Sequence, residues 1–339
     1  MRMPASRFCG SPIIDSVHLH VCPAVSASVL VHGVTGLDTL TTPLGKAGGK
    51  LGGSAPYAAL GARLFCTHVD MVSLVGDDFP ARYEEALRER GINLEATVRL
   101  PGETFAWEAE YEADMNNRTT LSTKFGVLAD WKLELPERLR RHKVIIATNV
   151  TPAHQLDLIG QCENRAFVMS DYMASWITSD RADVEKVIAL SDLVLMNDGE
   201  ARLFAGTSEP LAAAECLLDH GARYVVVKHG AYGATLMHRT AAGEEKLFRC
   251  PAWPLKRPVD PTGAGDTFMG ALGGYLAQSL AGGDPDWEEL KRGIAYASVV
   301  AAAVCESFGP DALFALTRQE VERRMLHFSE MTCWTLPGK

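Results

Sequence analysis

Short apolar segments recur along the chain and alternate with stretches of helical character. The sequence predicts strands at Ser28–Val34, Val69–Val75, Val144–Ala147, Ala166–Met169, Leu193–Met196 and Tyr224–Val227. Between several of them it predicts helices, at Ala81–Arg90, Ala182–Leu190 and Leu211–Gly221. Continuous apolar strands separated by helices are typical of a parallel sheet that is covered on both faces. We therefore predict an α/β protein.

The charge and the cysteine content of the chain argue against several classes of function. The chain has 33 basic and 42 acidic side chains, a net charge of −9 with neutral histidine, and no block of basic residues. A surface that binds nucleic acid or an anionic membrane needs a basic face, so we expect neither partner. No run of about 18 apolar residues is present, as a membrane span would require. The eight cysteines include no Cys-x-x-Cys pair, which favours a reducing, cytoplasmic location.

Two segments break the strand–helix alternation. Residues 41–53 contain five glycines, too many for a packed helix. Residues 104–127 have period two, with an apolar face from Phe105 to Ala113, an acidic opposite face, and a second alternating run from Leu121 to Val127. That pattern predicts a hairpin, which is either a peripheral decoration or a lid with Trp107 or Tyr111 facing a substrate.

The segment from Asp260 to Gly270 carries the clearest chemical signal. A small-residue turn, Gly263-Ala-Gly265, precedes an amphipathic helix. The first turn of a helix presents unpaired N–H groups and partial positive charge, and glycines let an anion approach the backbone closely. Asp266 lies beside that turn, where a carboxylate is placed either to act as a general base or merely to cap the helix.

The wider segment from Asp260 to Phe268 resembles the C-terminal signature of the ribokinase-like (pfkB) carbohydrate kinase family almost letter for letter. The resemblance implies that Asp266 takes the proton of the acceptor hydroxyl. It implies that the amides of Gly263, Ala264 and Gly265 hold the transferred phosphate, with Thr262 beside the nucleotide. It also implies a ribokinase-like three-layer α/β/α sandwich with a mostly parallel central sheet and a small β-sheet lid, formed by segments at about 41–53 and 104–127.

Two further segments resemble the substrate-binding motifs of the family. Asp38 follows the first strand, in the place of an acidic residue that binds sugar hydroxyls. Gly52, Gly53 and Tyr57 fall on a diglycine signature that contacts substrate, but the family commonly has Asn where this chain has Tyr57. Gly36 also replaces an Asn that is typical of ribokinases. These departures argue against assuming that the substrate is ribose.

Two more segments resemble the nucleotide-binding motifs. Asn197 and Glu200 fall on an Asn-x-x-Glu motif that is linked to magnesium and phosphate. Lys228, Gly230 and Gly233 fall on a Lys-x-Gly-x-x-Gly strand and turn near the nucleotide. The resemblance therefore implies ATP and Mg²⁺, with Asn197 and Glu200 at the metal, and it leaves open a monovalent cation such as K⁺.

We accordingly expect a kinase domain over residues 26–335, preceded by an extension, 1–25, that has no counterpart in the family. The expected activity is ATP-dependent phosphorylation of a hydroxyl on a sugar or a sugar-like molecule. The nearest alternative is a nucleoside kinase, in which Tyr57, Phe105 and Trp107 stack on a base. A second alternative is a non-catalytic protein that binds a sugar or a nucleoside. The exposed edge of a β lid also predicts a homodimer through the lid.

Overall fold

The computed structural model describes residues 27–333, except 164, 166 and 281–283. Its strands are β1 Ser28–His32, β2 Gly36–Thr42, β3 Gly45–Gly52, β4 His68–Gly76, β5 Ile92–Asn93, β6 Thr97–Leu100, β7 Phe105–Tyr111, β8 Arg118–Lys124, β9 Val144–Ala147, β10 Phe167–Asp171, β11 Leu193–Asn197, β12 Tyr224–Lys228, β13 Ala234–Arg239 and β14 Glu245–Cys250. Its helices are α1 Ser54–Arg63, α2 Ala81–Glu89, α3 Pro152–Gln161, α4 Ala174–Ser179, α5 Arg181–Leu190, α6 Asp198–Ala205, α7 Pro210–Asp219, α8 Ala264–Ser279, α9 Trp287–Val304, α10 Asp311–Ala315 and α11 Arg318–Thr332.

Ten strands form the main sheet, in the order β14-β13-β12-β11-β10-β9-β1-β4-β5, with β6 also paired to β4. All pairings from β12 to β5 are parallel, and only β13 and β14 join in antiparallel fashion. The six predicted strands all lie in this sheet, and Ala166 of the fourth lies outside the described residues. The predicted mostly parallel α/β architecture is confirmed.

Helices cover both faces of the main sheet, because its strands are apolar on both sides. Val29 and Val31 of β1 point into one core layer, which includes buried residues of α1, α2, α8, α9, α10 and α11. Leu30, between them, points into the other layer, with residues of α3, α4, α5, α6 and α7. This alternation produces the expected three-layer sandwich.

Helices α1 and α8 pack in backbone contact. A Cβ atom at Gly270 would overlap the carbonyl oxygen of Ala58, and one at Gly274 would overlap that of Ala62. The glycines of α8 therefore lie directly over the backbone of α1. Both helices begin at the same edge of the main sheet, so this contact fixes their first turns relative to each other.

A second sheet has four strands in the order β3-β2-β7-β8, and we call it the small sheet. It contains both segments expected to form a lid, but β2 begins at Gly36, before the expected boundary at residue 41. Asp38 therefore lies on the small sheet and not at the end of the first strand of the main sheet. Strand β8 ends at Lys124 and a 3₁₀ turn follows, so the predicted alternation up to Val127 is wrong for the last residues.

In the hairpin β7–β8, only strand β7 has a buried apolar face. Ala109 and Tyr111 are buried, whereas Leu121 and Phe125 are exposed. The expected extension, residues 1–25, lies outside the described residues, as do residue 26 and residues 334–335 of the expected kinase domain. Within the described part of the chain, no helix has the length and apolar character that crossing a bilayer requires.

Candidate active site

Two helix N-termini meet at the carboxyl edge of the main sheet. Helix α1 follows Gly53, which has φ +82°, and α8 follows Gly263, which has φ +78°. Residues with a side chain rarely adopt this left-handed conformation. Neither helix has a side-chain cap, so their first N–H groups are left to other acceptors.

The amides expected to hold phosphate are not equivalent. The Ala264 N–H donates to the Pro261 carbonyl at 3.2 Å and is already engaged. Those of Gly263 and Gly265 have no acceptor within the described part of the chain. Two of the three expected donors are thus open to an anion.

The side chain of Tyr57 packs against the turn at Gly263. Its side chain is 1% exposed, and a Cβ atom at Gly263 would lie 2.5 Å from three carbons of its ring. The Tyr57 hydroxyl donates to the Leu51 carbonyl at 3.4 Å. The ring therefore supports the Gly263 turn, and the expected substrate contact of Tyr57 stays a prediction.

Asp260 holds the same turn through both of its carboxylate oxygens. One accepts from the Thr262 N–H at 2.9 Å and the other accepts from the Gly309 N–H at 3.0 Å. Asp260 is fully buried. Sequence reasoning quoted this residue in the signature but gave it no role, and the structure identifies it as the residue that shapes the loop.

Asp38 is 2% exposed, and its Oδ1 has no hydrogen-bond partner among the described residues. A Cβ atom at Gly52 would overlap its carboxyl group, so the first glycine of the diglycine makes room for this side chain. Burial raises the pKa of Asp38 to about 8, and repulsion by Asp260 and Asp266 adds to the increase. A buried carboxyl with an unpaired oxygen is suited to a ligand that brings a hydroxyl.

Asp266 lies in the first turn of α8. Burial raises its pKa to about 7, and the negative charge of Asp171 acts in the same direction, while Lys228 and Arg118 oppose it. A carboxylate with a pKa near neutrality can accept a proton at physiological pH and release it again.

Lys228 ends β12, and its ammonium lies 2.5 Å from Oδ2 of Asp171, which ends β10. Burial alone would lower the pKa of Lys228, but the charges of Asp171 and Glu200 raise it, so the side chain stays protonated. Sequence reasoning missed Asp171. Its position two residues after the predicted apolar strand Ala166–Met169, at the edge where α/β proteins bind ligands, was the available signal.

Asn197 and Glu200 form a capping box at the start of α6. Asn197 Oδ1 accepts from the Glu200 N–H at 2.8 Å, and Glu200 Oε2 accepts from the Asn197 N–H at 2.8 Å. The second carboxylate oxygen of Glu200 is not used in this motif. Burial, with repulsion from Asp171, raises the pKa of Glu200 to about 7.

The small sheet contacts two loops of the site. Tyr111 hydrogen-bonds through its hydroxyl to Thr262 Oγ1 at 3.0 Å. At the hairpin tip, Asn116 lies so close to Gly230 that a Cβ atom there would overlap its amide oxygen. The sheet therefore reaches from the signature loop to the turn that follows Lys228.

Trp107 and Asp38 are paired neighbours on β7 and β2. Paired residues of parallel strands project from the same face of a sheet, so Trp107 stands beside the buried carboxyl. Its indole N–H donates to Thr120 Oγ1 at 3.3 Å. Phe105 packs instead against Phe125, with ring centroids 6.1 Å apart.

Comparison with known proteins gives a consistent match. The profile of the "pfkB family carbohydrate kinase" matches residues 45–315. A cytidine kinase of Thermococcus kodakarensis is 28% identical over 254 residues, which cover 73% of this chain and 88% of the relative. A ribokinase of Mus musculus is 25% identical over 282 residues, or 74% of this chain and 82% of the relative.

The fold also matches solved structures. The aminoimidazole riboside kinase of Salmonella enterica, complexed with aminoimidazole riboside and an ATP analogue, superimposes with a TM-score of 0.68 at 20% identity. The match covers 88% of this chain and 99% of that enzyme.

Proposed function

The chain belongs to the pfkB family of carbohydrate kinases, and we propose that it transfers the γ-phosphoryl group of ATP to a hydroxyl group of a sugar or a nucleoside. The observation that carries this proposal is the position of Asp266. Its carboxyl group, with a pKa of about 7, lies in the same helical turn as the amides of Gly263 and Gly265, which lack an acceptor among the described residues. A base beside an anion-binding turn is the arrangement that phosphoryl transfer to an alcohol requires.

The reaction follows from these groups. The acceptor hydroxyl gives its proton to the Asp266 carboxylate as its oxygen forms a bond to the γ-phosphorus. The bond from that phosphorus to the β–γ bridging oxygen breaks, and ADP leaves. The N–H groups of Gly263 and Gly265 donate to the oxygens of the group in transit, where such donors are worth about 10²–10³-fold each.

The nucleotide side comprises Thr262 and residues at the ends of β11 and β12 or just after them, namely Asn197, Glu200, Lys228, Gly230 and Gly233. No group of three or more acidic, His or Cys side chains among the described residues could hold a metal unaided. Mg²⁺ is commonly held by one or two carboxylates together with phosphate oxygens, so the free oxygen of Glu200 fits it, whereas Asn197 contributes through the capping box. When bound, Mg²⁺ supplies positive charge to the β- and γ-phosphates.

The acceptor side comprises Asp38 and the diglycine Gly52–Gly53. The unpaired oxygen of Asp38 offers an acceptor to a hydroxyl of the substrate, and its burial makes such a bond valuable. The small sheet then acts as a lid, since it carries Asp38 on the acceptor side and contacts Thr262 and Gly230 on the nucleotide side. A closed lid favours transfer to the acceptor over transfer to water.

A nucleoside is the second candidate acceptor, and the position of Trp107 favours it. This indole stands next to Asp38 on one face of the small sheet, where a base could stack while its ribose reaches the carboxyl. Tyr57 and Phe105, the other rings expected to stack, do not support this role, because one is buried under Gly263 and the other packs on Phe125.

Assembly through the lid stays a proposal. Strand β8 is an edge of the small sheet and carries the exposed side chain of Leu121. Pairing of the β8 edges of two molecules would cover the open strand edge and the Leu121 side chain. The elution mass of the protein, compared with that of Leu121→Lys, tests this proposal, and a wild-type monomer would contradict it.

The activity is tested by ADP release from MgATP with D-ribose, D-fructose, cytidine and inosine as separate acceptors. Asp266→Asn is the blank. A signal with a free sugar, lost in the blank, identifies a sugar kinase, and a signal with cytidine or inosine identifies a nucleoside kinase. Folded protein that binds MgATP and a sugar or nucleoside without releasing ADP would contradict catalysis and favour a binding protein. K⁺ replaced by choline in the same assay tests the monovalent cation.

A further inference from the structure

The buried ion pair between Lys228 and Asp171 has no evident role in stability. Its two side chains are 16% and 9% exposed, and the Nζ–Oδ2 distance is 2.5 Å. The pair spans β11, because Asp171 ends β10 and Lys228 ends β12. Two charges brought out of water lose much of what they gain by pairing, so a buried pair is weak evidence of a stabilising contact. The groups that these charges face give a more direct indication of their role.

The ammonium faces the phosphate-binding turn. A Cβ atom at Gly265 would lie 3.0 Å from Lys228 Nζ, so the absence of a side chain there leaves room for the ammonium. An ammonium has three donors, and Asp171 is the hydrogen-bond acceptor that the described part of the chain gives it. The remaining donors are therefore available to a ligand that occupies the turn.

The groups around the ammonium are otherwise acidic. Asp171, Glu200 and Asp266 all interact with the Lys228 charge. Three carboxyl groups around an anion-binding turn would repel a phosphate unless a cation offset them. Arg118 of the small sheet also acts on Glu200 and Asp266, but its side chain is exposed, whereas Lys228 is enclosed at the turn itself.

Resting on the proposed phosphoryl transfer, we infer that Lys228 is a catalytic residue that contacts the oxygens of the γ-phosphoryl group in transit, and that Asp171 is the positioning residue that holds its ammonium against Gly265. Lys228 gives up no proton in this step. The hydroxyl proton moves to Asp266, the new bond forms from acceptor oxygen to phosphorus, and Lys228 offsets negative charge on the phosphoryl oxygens throughout.

The test compares the binding of MgATP and MgADP by titration calorimetry, so it needs no knowledge of the acceptor. In Lys228→Met we expect MgATP to bind at least tenfold more weakly and MgADP to bind within twofold of wild type, because only ATP has the γ-phosphoryl group. Asp171→Asn should weaken MgATP selectively in the same way. The matched controls are Lys186→Met and Asp183→Asn, which break an exposed pair of similar length and should change neither affinity.

An equal loss for both nucleotides, or no loss for either, would overturn the inference while leaving the proposed kinase in place. Wild-type protein that binds neither nucleotide would overturn the proposed function itself. Since Lys228→Met leaves Asp171 buried without a partner, the double variant Lys228→Met/Asp171→Asn, which has neither charge, is measured beside it. It should show the same selective loss of MgATP.

A second readout tests whether the charges of the pair act on Asp266 itself. In protein labelled with ¹³C at the aspartate carboxyl, the Asp266 signal is the one that disappears in Asp266→Asn. Its pKa should fall in Asp171→Asn, which removes a negative neighbour, and rise in Lys228→Met, which removes a positive one. Opposite shifts would confirm that both charges of the pair act on Asp266, and shifts of the same sign would contradict that placement.

Discussion

The Cα atom of Gly263 lies against the face of the Tyr57 ring, so closely that a Cβ atom would be 2.5 Å from three ring carbons. The aromatic ring therefore supports the turn that is proposed to bind phosphate, and the position of the amides of that turn depends on Tyr57.

Substitution of Gly263 tests this contact. Gly263→Ala should lower the free energy of unfolding by more than the 1–3 kcal/mol, roughly, that a left-handed backbone costs an alanine, because the methyl group also meets the ring. Gly206→Ala is the control, since Gly206 has φ +66° but no atom within 4 Å of its Cβ position. Urea denaturation measures both. Equal losses would mean that Tyr57 yields and that the contact has no cost.

Substitution of Asp266 separates the base from a helix cap. Asp266→Asn should reduce turnover at least about 100-fold, as expected for loss of a general base, with little change in stability because Gly263 and not Asp266 is the N-cap. The matched control is Asp286→Asn at α9, where the aspartate is a genuine N-cap whose carboxylate accepts from the Glu289 N–H at 2.7 Å. Near-normal turnover in Asp266→Asn would remove this residue from the mechanism.

Activity should fall on the acidic side of neutrality. The base must be ionised, and the pKa of Asp266 is about 7, so kcat/KM should drop progressively as the pH falls below about 7. Steady-state rates measured from pH 5 to pH 9 check this profile. A profile flat down to pH 5 would show that the base ionises with an ordinary pKa.

Asp38 should make the folded protein less stable at high pH. Its pKa is raised from 3.8 to about 8, so the folded state binds the proton that the unfolded state releases, and the stabilisation present below pH 4 is lost as the pH rises through about 8. Asp38→Asn should therefore unfold at higher urea concentration than wild type at pH 9, although it loses affinity for the acceptor.

Asp70 is the control for Asp38, because its pKa is shifted in the opposite direction. Burial opposes its ionisation, but the hydrogen bond and charge of His142 hold the pKa of Asp70 below its usual range. Its ionised form stabilises the fold above the ordinary aspartate pKa, and Asp70→Asn should unfold more easily than wild type at neutral pH. A shift in the same direction for both variants would contradict this account of the two carboxyl groups.

Glu200 combines a structural role with an expected metal contact. Substitution by glutamine, which keeps the side-chain oxygen but removes the charge, separates the two roles. Glu200→Gln keeps an oxygen for the capping box, so the start of α6 should remain capped and the protein should stay folded. The Mg²⁺ concentration for half-maximal activity should rise severalfold because the charge is gone. Glu289→Gln alters the equivalent residue of the capping box at α9 and should leave the Mg²⁺ requirement unchanged. An unchanged requirement in both would exclude Glu200 from the metal.

The main sheet could be predicted because its strands are apolar on both faces, so that each strand is visible in the sequence as a short apolar segment. The signature loop could be predicted because its glycines and Asp266 are contiguous. Two features could not. Asp171 and Lys228 meet across an intervening strand, and no local pattern records such a pairing. The burial of Tyr57 depends on how α1 crosses α8. The capping box of Asn197 and Glu200 is a different case, since its spacing was visible in the sequence and only its helix-capping role was overlooked.

The backbone contact between α8 and α1 has a consequence for how such a protein can diversify. One helix starts at the turn proposed to bind phosphate and the other at the diglycine beside Asp38, and Gly270 and Gly274 bring them together without intervening side chains. The distance between the first turns of the two helices is thus set by the rigid interior of the protein. Residues on the small sheet, such as Trp107, lie outside that rigid block. On the proposed function, changes at Trp107 and its neighbours on the small sheet can therefore alter which acceptor binds while the two helix N-termini keep their relative positions.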